Sequence, residues 1–337
     1  MSTPTVNRKW TILAGVAGTL LLAVLLVAAV LFTSAYDKEE VAYVYLKEGD
    51  NAKQALRDAG VRSAGFNMLS SVIGYRVRPG RYAVSKGDNI FSVFRRLRNG
   101  QQEPVNLTLP SLRTMNDLAG FLGDHLLLDS ADVANAFADS TFTATYGYTP
   151  QTLPALFIPN TYQVYWNVSL DDFMQRMVRE NAAFWTKERD TKAQDAGFTH
   201  EEIMTLASIV DEETANNAEK PMVAGMYIKR LQTDMPLQAD PTVKFAVGDF
   251  SLRRILHAHL KTDSPYNTYL YEGLPPGPIR IPSIAGIDAV LNYVHHDYVY
   301  MCAKEDFSGT HNFAATYGEH MRNARRYAKA LDERGIK

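Results

Sequence analysis

An apolar segment near the start of the chain constrains its fold more than any other feature. Residues Thr11–Phe32 contain no charged side chain. A helix of that length would be about 33 Å long, enough to cross the roughly 30 Å hydrocarbon core of a bilayer. Arg8 and Lys9 precede the segment, whereas acidic residues dominate positions 37–40 after it. The positive-inside rule therefore predicts a cytoplasmic tail over 1–10, a single-pass transmembrane helix, and a location outside the cytoplasm for the rest.

A cleaved signal peptide is the alternative interpretation, with Thr33-Ser34-Ala35 as its cleavage site. The apolar region of such a peptide is normally about 7–15 residues long, which is shorter than the segment at 11–32. We therefore favour an uncleaved anchor. ATP and NADH are scarce outside the cytoplasm, and the chain contains neither GxxxxGK[ST] nor GxGxxG, the phosphate-binding motifs for such nucleotides.

The remaining composition is that of a globular protein, with 46% hydrophobic and 21% charged residues among 337. This length allows two or three domains. The net charge of −2 gives no electrostatic reason to expect nucleic acid as a partner. The single cysteine, Cys302, excludes an internal disulfide and any multi-cysteine metal site. For this thiol we favour a buried structural role over a catalytic one.

A repeated pattern follows the apolar segment. Residues 41–60 and 80–100 each contain a β-prone run, a Gly-Asp-Asn turn and an amphipathic stretch that ends in glycine. Asparagine at the turn can cap a helix, and Gly60 or Gly100 suits its left-handed C-terminal position. A looser third copy over Val105–Leu126 pairs the strand VNLTLP with a helix from Met115.

The repeat predicts a small α/β subdomain over residues 33–104, with a further helix within Ser63–Gly74. One interpretation is a plain module that holds the next domain away from the membrane. The other follows from a resemblance, because the order strand–GDN–helix is similar to LysM modules, which bind N-acetylglucosamine polymers. The whole chain is then an α+β protein: a transmembrane helix, a LysM-like subdomain and a mixed α/β catalytic region over 105–337, with its core at about 150–337.

The region from Ser130 to Lys192 is mostly helical in pattern, apart from a predicted loop at 153–167. Tyr162, Tyr165 and Trp166 lie together in that loop. Aromatic faces stack on sugar rings, but aromatic residues at this density are more often part of a core. Both interpretations stay open at this point.

Three consecutive acids, Asp211, Glu212 and Glu213, end an otherwise apolar helix. The capping-box pattern Thr199-His200-Glu201-Glu202 predicts that this helix begins near Thr199. At 100° per residue, Glu213 points toward the apolar stripe, Asp211 lies nearly as close on its other side, and Glu212 points away into solvent. A fully solvated helix end is the alternative, although acids at a helix C-terminus oppose the macrodipole.

A carboxyl group held against an apolar face has a raised pKa and can keep its proton near neutral pH, as a general acid must. Glu213 is therefore the candidate catalytic residue.

Further polar residues suit the binding of an extended substrate. They lie in clusters at 236–242, 264–269 and 309–313 and in a Pro/Gly loop at 272–279. We expect no metal, since the histidines show no HExxH spacing, and no serine hydrolase site, since GxSxG is absent.

Several motifs resemble the MltG/YceG-like family of endolytic murein transglycosylases, from about residue 41 to the C-terminus and in the N-terminal anchor. They are LASIVDEET, the Lys229-Arg230-Leu231 step, MPLQADPTV, SPYNTY, GLPPGPI and the GTHNF…EH tail. The resemblance implies a lyase that cleaves the MurNAc–GlcNAc bond within peptidoglycan glycan strands and leaves 1,6-anhydroMurNAc ends. It also implies a role in cell wall synthesis and remodelling beside peptidoglycan synthases, without a cofactor.

The family's catalytic glutamate is the last acid of the ASIVxxE run, which here is Glu213. Candidate substrate-binding residues are Gln238, Asp240, Asn267, Tyr266 and His311. The family commonly has Glu-Gly where this chain has Pro154-Ala155. We therefore transfer no role from the family's glutamate to this chain. Two alternatives remain: a non-catalytic peptidoglycan-binding scaffold, and a glycan hydrolase that uses Glu213 with Asp240.

Overall fold

The structure, a computed structural model, describes residues 8–252 and 254–335. Most of the predicted cytoplasmic tail lies outside the described residues. The first element is a long apolar helix, α1 (Arg8–Phe32). It is long and apolar enough to cross a membrane, a property that signal sequences near an N-terminus share. Strands and helices follow in an α+β arrangement, in two compact units.

The first unit comprises the described residues up to Asn106, together with Gln163–Val168. After α1 it contains β1 (Ala42–Leu46), α2 (Ala52–Asp58), α3 (Phe66–Ile73), β2 (Gly80–Val84) and α4 (Ile90–Asn99). The strands β1 and β2 pair antiparallel, with Ala42 opposite Val84 and Leu46 opposite Gly80. Alternate side chains of both strands face a core that α2, α3 and α4 cover.

The predicted repeat is confirmed in its local structure. Asn51 caps α2 by accepting a hydrogen bond from the backbone N–H of Gln54, and Asn89 caps α4 in the same way through Ser92. Gly100 ends α4 with a φ of 67°, a left-handed conformation that favours glycine. The sequence pattern locates these turns because each cap depends on residues only a few positions apart.

The second unit comprises Leu107–Tyr162 and the described residues from Ser169 onward. Its elements are α5 (Met115–His125), α6 (Ser130–Ala138), α7 (Ser140–Ala144), α8 (Leu170–Phe184), α9 (Lys187–Ala196), α10 (His200–Glu213), α11 (Lys220–Gln232), α12 (Asp240–Val247), α13 (Ile284–Leu291), β5 (Tyr300–Ala303), β6 (His311–Ala314) and α14 (Tyr317–Glu333). β5 and β6 form an antiparallel pair.

Two short strands, β3 (Val105–Thr108) and β4 (Thr161–Val164), pair with each other. The looser third copy therefore has its strand and its helix α5, but the strand finds its partner in the segment predicted as a loop. That segment also contains a 3₁₀ turn at Leu153–Leu156. The loop prediction was too simple, because a four-residue strand or turn leaves almost no periodic signal.

α10 lies at the centre of the second unit and packs against α11 and α13. It begins at the Thr199 capping box, as predicted. All eight residues from Ile203 to Val210 are buried, not only those of one stripe. The two polar residues among them have partners: Thr205 donates to the Glu201 carbonyl, and Ser208 accepts from the backbone N–H of Ile279. The helix is therefore enclosed on every side, which changes the surroundings of the acids at its end.

Candidate active site

The first acid of the triplet holds the helices together. Asp211 accepts a 2.7 Å bond from Nζ of Lys220, and the two side chains are only 4% and 7% exposed. It also accepts from the backbone N–H and the hydroxyl of Ser283, the N-cap of α13. This carboxylate therefore joins the end of α10 to the starts of α11 and α13.

The second acid is not in solvent, so that prediction was wrong. Glu212 is 13% exposed and accepts bonds of 2.8–2.9 Å from Arg113 and 2.8 Å from Arg280. Arg280 in turn donates to the Ser111 carbonyl. The helical wheel placed Glu212 opposite the apolar stripe correctly, but residues far along the chain cover that side as well.

The third acid, Glu213, lies in the wall of a cavity of about 240 Å³. Its Oε1 accepts a 2.5 Å hydrogen bond from the hydroxyl of Tyr227 on α11. The direction predicted from the helical phase is confirmed. The other residues that line the cavity are Met226, Arg230, Leu237, Gln238, Asp240, Tyr269, Met301, Cys302, Ala303 and His311.

Burial raises the pKa of Glu213 from 4.5 to about 7, and the negative charge of Asp240 acts in the same direction. The Tyr227 hydrogen bond, His311 and Arg230 lower this pKa, but less than burial raises it. A group with a pKa near 7 is present in both protonation states at neutral pH, so it can give up a proton and take one back.

Arg230 holds two walls of the cavity in place. Its guanidinium is buried, donating 2.7 Å and 3.1 Å bonds to the carbonyls of Leu237 and Pro236 and a 2.6 Å bond to that of Val299. The turn before α12 and the start of β5 are thereby fixed to α11. Gln238 has a φ of 48°, and its backbone N–H donates to the Thr268 carbonyl. This left-handed residue turns the chain into α12.

Asp240 begins α12 and accepts a 2.7 Å bond from the hydroxyl of Tyr269. Burial, together with Asp240, raises the pKa of Tyr269 well above its usual value. The phenol therefore stays protonated and acts as a donor at neutral pH. Beneath this pair, the hydroxyls of Thr242 and Thr268 share a buried 2.8 Å hydrogen bond.

His311, in the cavity wall, is paired with a buried carboxyl group. Glu219 accepts a 2.6 Å bond from the backbone N–H of His311 and lies 3.0 Å from its Nδ1. Its Oε2 also accepts a 3.1 Å bond from the hydroxyl of Thr214, the residue that follows Glu213. Glu219 thus links the end of α10 to β6.

Four of the predicted site residues line one cavity: Glu213, Gln238, Asp240 and His311. The structure does not bring Asn267 and Tyr266 to it. Asn267 is completely buried, and its amide donates to the carbonyls of Leu260 and Thr262. Its residue type suits sugar binding, but its amide stabilises its own loop.

Tyr266 lines a separate cavity of about 240 Å³ with Arg113 and Phe245, and its ring centre is 4.6 Å from that of Phe245. Pro154, the departure from the family pattern, lines this second cavity as well. Cys302 is only partly buried, and burial raises the pKa of its thiol. A thiol with a raised pKa is a poor nucleophile at neutral pH.

Tyr227, Glu219 and Tyr269 were not among the predicted site residues. In the sequence, Tyr227 has the pattern of a core aromatic residue within α11. Glu219 lies in a polar stretch without helical or strand periodicity. Only the Lys229-Arg230-Leu231 motif pointed to Arg230. Within 8–252 and 254–335, no group of three or more His, Cys, Asp or Glu residues is arranged to hold a metal ion.

Comparison with known proteins finds one family along most of the chain. The model of the YceG-like family matches residues 44–326. The endolytic murein transglycosylase of Bacillus subtilis is 27% identical over 271 residues, which cover 76% of this chain and 74% of that protein. The protein of the same name from Streptococcus pneumoniae is 27% identical over 320 residues, covering 83% of this chain; the chain spans 57% of that relative's length.

A solved structure is similar in fold as well. The YceG-like protein of Listeria monocytogenes superposes with a TM-score of 0.58 at 26% sequence identity. The superposition covers 85% of this chain and 99% of the Listeria chain.

Proposed function

The chain belongs to the YceG-like family, and we propose that it is an endolytic murein transglycosylase, a lyase acting on the glycan strands of peptidoglycan. The names of the similar proteins support this activity. The observation that carries it is the carboxyl group of Glu213, whose pKa burial raises to about 7 in a cavity lined by polar side chains.

The reaction needs only this one carboxyl group. Protonated Glu213 donates its proton to the glycosidic oxygen as the bond from C1 of N-acetylmuramic acid to that oxygen breaks. The N-acetylglucosamine side leaves with a new hydroxyl, and positive charge develops at C1. The Glu213 carboxylate then removes the proton from the muramic acid O6 hydroxyl, and O6 bonds to C1. The product is a 1,6-anhydro end, no water is consumed, and Glu213 regains its proton.

We further propose that Gln238, Asp240 and His311 bind the sugar, since all three line the cavity with Glu213. A carboxylate at Asp240, in the same cavity as Glu213, would stabilise the positive charge that develops at C1. The same observation is the one that supports a hydrolase as a second candidate, because ordinary glycosidases use two carboxyl groups. A mere scaffold would have no need of a glutamate with a pKa near 7.

For the rest of the chain we propose that α1 anchors the protein in the inner membrane, with residues 1–10 in the cytoplasm and the catalytic region at 105–337 in the periplasm.

We also propose that residues 33–104 form the LysM-like subdomain. A surface cavity of about 420 Å³ supports sugar binding there, since it is lined by Tyr43, Tyr45, Asn51 and Gln54. Aromatic faces and amides are the groups that bind sugar rings and their hydroxyls. We expect peptidoglycan synthases to be the protein partners of the whole chain.

Digestion of purified peptidoglycan glycan strands by the full chain, with mass spectrometry of the products, tests the activity. We expect the wild type to cut at internal bonds of the strands and to leave anhydromuramoyl ends. We expect Glu213→Gln to produce none. Hydrolysis would add the mass of one water per cut, so products with that mass would favour the hydrolase. Strand binding without any cleavage by the wild type would favour the scaffold.

A further inference from the structure

Glu219 and His311 form a buried pair beside Glu213 for which the one-carboxyl mechanism has no use. The Glu219 side chain is 8% exposed and the His311 side chain 17%. Both oxygens of Glu219 accept hydrogen bonds, Oε1 from the His311 backbone N–H and Oε2 from the Thr214 hydroxyl, while Nδ1 of His311 lies 3.0 Å from Oε2. The Thr214 oxygen itself accepts from the backbone N–H of Asn216, so its proton faces Glu219. This is the environment of an ionised carboxylate, which can only accept hydrogen bonds.

That environment selects the tautomer of His311. Since a carboxylate accepts, Nδ1 must carry the proton that lies between the two groups. In the neutral ring Nε2 then has a free lone pair, whereas the protonated ring, whose positive charge lowers the pKa of Glu213, has none. No residue in the described part of the chain donates to Nε2, although the ring lines the Glu213 cavity. The neutral ring therefore offers the cavity a hydrogen-bond acceptor whose orientation Glu219 fixes.

We propose that Nε2 of His311 accepts a hydrogen bond from a hydroxyl or amide N–H of the glycan bound at Glu213, and that Glu219 is the positioning residue that fixes this tautomer. This inference rests on the proposed function. The sugar chemistry fits, because amino sugars present several hydroxyl and amide N–H donors that an acceptor in the cavity wall can bind. The carboxylate–histidine pair thus orients the substrate and leaves the proton transfer to Glu213.

A purely structural role is the competing explanation, since Glu219 also joins β6 to the end of α10. Two substitutions separate the roles. His311→Asn keeps a donor near the Nδ1 position for Glu219 but removes the acceptor at Nε2. His311→Gln gives up the bond to Glu219 but carries an amide oxygen near the Nε2 position. An acceptor role predicts that Gln is the more active variant, and a structural role predicts the opposite order.

The experiment measures kcat/KM of the full chain on purified glycan strands for both variants, with His257→Asn as a control at an exposed histidine. We expect His311→Asn to lose about tenfold or more of kcat/KM, with an unchanged thermal midpoint, and His311→Gln to retain more than His311→Asn. Glu219→Gln should also lose activity, because its amide can donate to Nδ1 and impose the other tautomer, as in catalytic triads.

Equal or higher activity of His311→Asn than of His311→Gln would overturn the proposal. So would loss of the folding transition in both variants, since His311 would then belong to the fold. Failure of the proposed function would look different from failure of this proposal, because the wild type itself would then release no anhydromuramoyl ends. In that case, binding of the strands to Glu213→Gln with and without His311→Asn tests the acceptor, and undiminished binding would count against it.

Discussion

The hydroxyl of Tyr227 donates a 2.5 Å hydrogen bond to Oε1 of Glu213, and both side chains line the same cavity. The bond lowers the pKa of Glu213, while burial raises it more, so the pKa lies at about 7. The same burial and the nearby carboxyl group raise the pKa of Tyr227 well above its usual value. Tyr227 therefore remains a donor, and Glu213 is the member of the pair whose proton can be exchanged.

The raised pKa predicts how the stability of the fold changes with pH. Glu213 has a pKa of about 7 when folded and 4.5 when exposed, so the folded state binds the proton more tightly. The stabilisation is complete below pH 4.5 and is lost as pH rises through 7, by about 3 kcal/mol. Glu213→Gln cannot lose a proton. We expect it to match the wild type at pH 4 and to be more stable at pH 8.

Thermal denaturation of both full chains at the two pH values provides the measurement. Because Tyr227 can still donate to the glutamine oxygen, the variant keeps the contact and differs mainly in its charge. If the difference in melting midpoint between the wild type and Glu213→Gln were the same at pH 4 and pH 8, Glu213 would titrate as an exposed group.

Tyr227→Phe removes a bond that lowers the pKa of Glu213. General acid catalysis requires the protonated carboxyl group, so the kcat/KM of the wild type should fall about tenfold per pH unit above 7. In the variant we expect this fall to begin at a higher pH, together with a lower maximum because Glu213 is less well oriented. Profiles of kcat/KM between pH 5 and 9 test it, and a fall that moves to lower pH would contradict the assignment.

Asp211→Asn should damage the fold rather than the chemistry. It leaves the ammonium group of Lys220, which is 7% exposed, without its partner, at a cost of about 3–5 kcal/mol. Glu212→Gln should cost less, about 1–2 kcal/mol, since Arg113 and Arg280 are 38% and 22% exposed and water screens them. Denaturant titration gives both values.

Per folded molecule, both of these variants should still produce anhydromuramoyl ends, in contrast to Glu213→Gln. If Asp211→Asn or Glu212→Gln abolished cleavage in folded protein while Glu213→Gln retained it, the acid would have been assigned to the wrong residue.

The full chain should remain in the membrane fraction after alkaline carbonate washing. Leu21→Arg combined with Leu25→Arg, two exposed positions of α1, should release it, because each arginine costs about 2.5–3.5 kcal/mol at the centre of a transmembrane helix. Leu21→Ala with Leu25→Ala is the control. A mature chain whose N-terminal sequence begins after Ala35 would instead identify a cleaved signal peptide.

Local patterns in the sequence predicted much of this fold. Asn51, Asn89 and Thr199 cap helices through residues three positions away, so their signals lie within one turn. The helical phase likewise gave the direction of Glu213. What it could not give was the enclosure of α10, because Arg113 lies 99 positions from Glu212 and Ser283 lies 72 positions from Asp211.

The candidate site divides in the same way. Glu213, Gln238 and Asp240 lie in motifs of suitable polarity, and the sequence alone predicts all three as site residues. Asn267 has an equally suitable residue type, but its amide is used by backbone carbonyls five and seven positions away. Residue type states which chemistry a side chain offers, whereas only the packing states which partner receives it.

The hairpin of β5 and β6 completes the cavity from residues made long after Glu213, and this sets an order in time. His311 lies 92 positions beyond Glu219, and Met301, Cys302 and Ala303 close the wall next to it. In a nascent chain that has reached only α13 this part of the cavity wall is missing, and we expect the pKa of Glu213 to lie closer to 4.5, its value when exposed. An unfinished molecule would then hold its proposed acid mostly deprotonated, and docking of the last strands would raise the pKa of Glu213 to about 7.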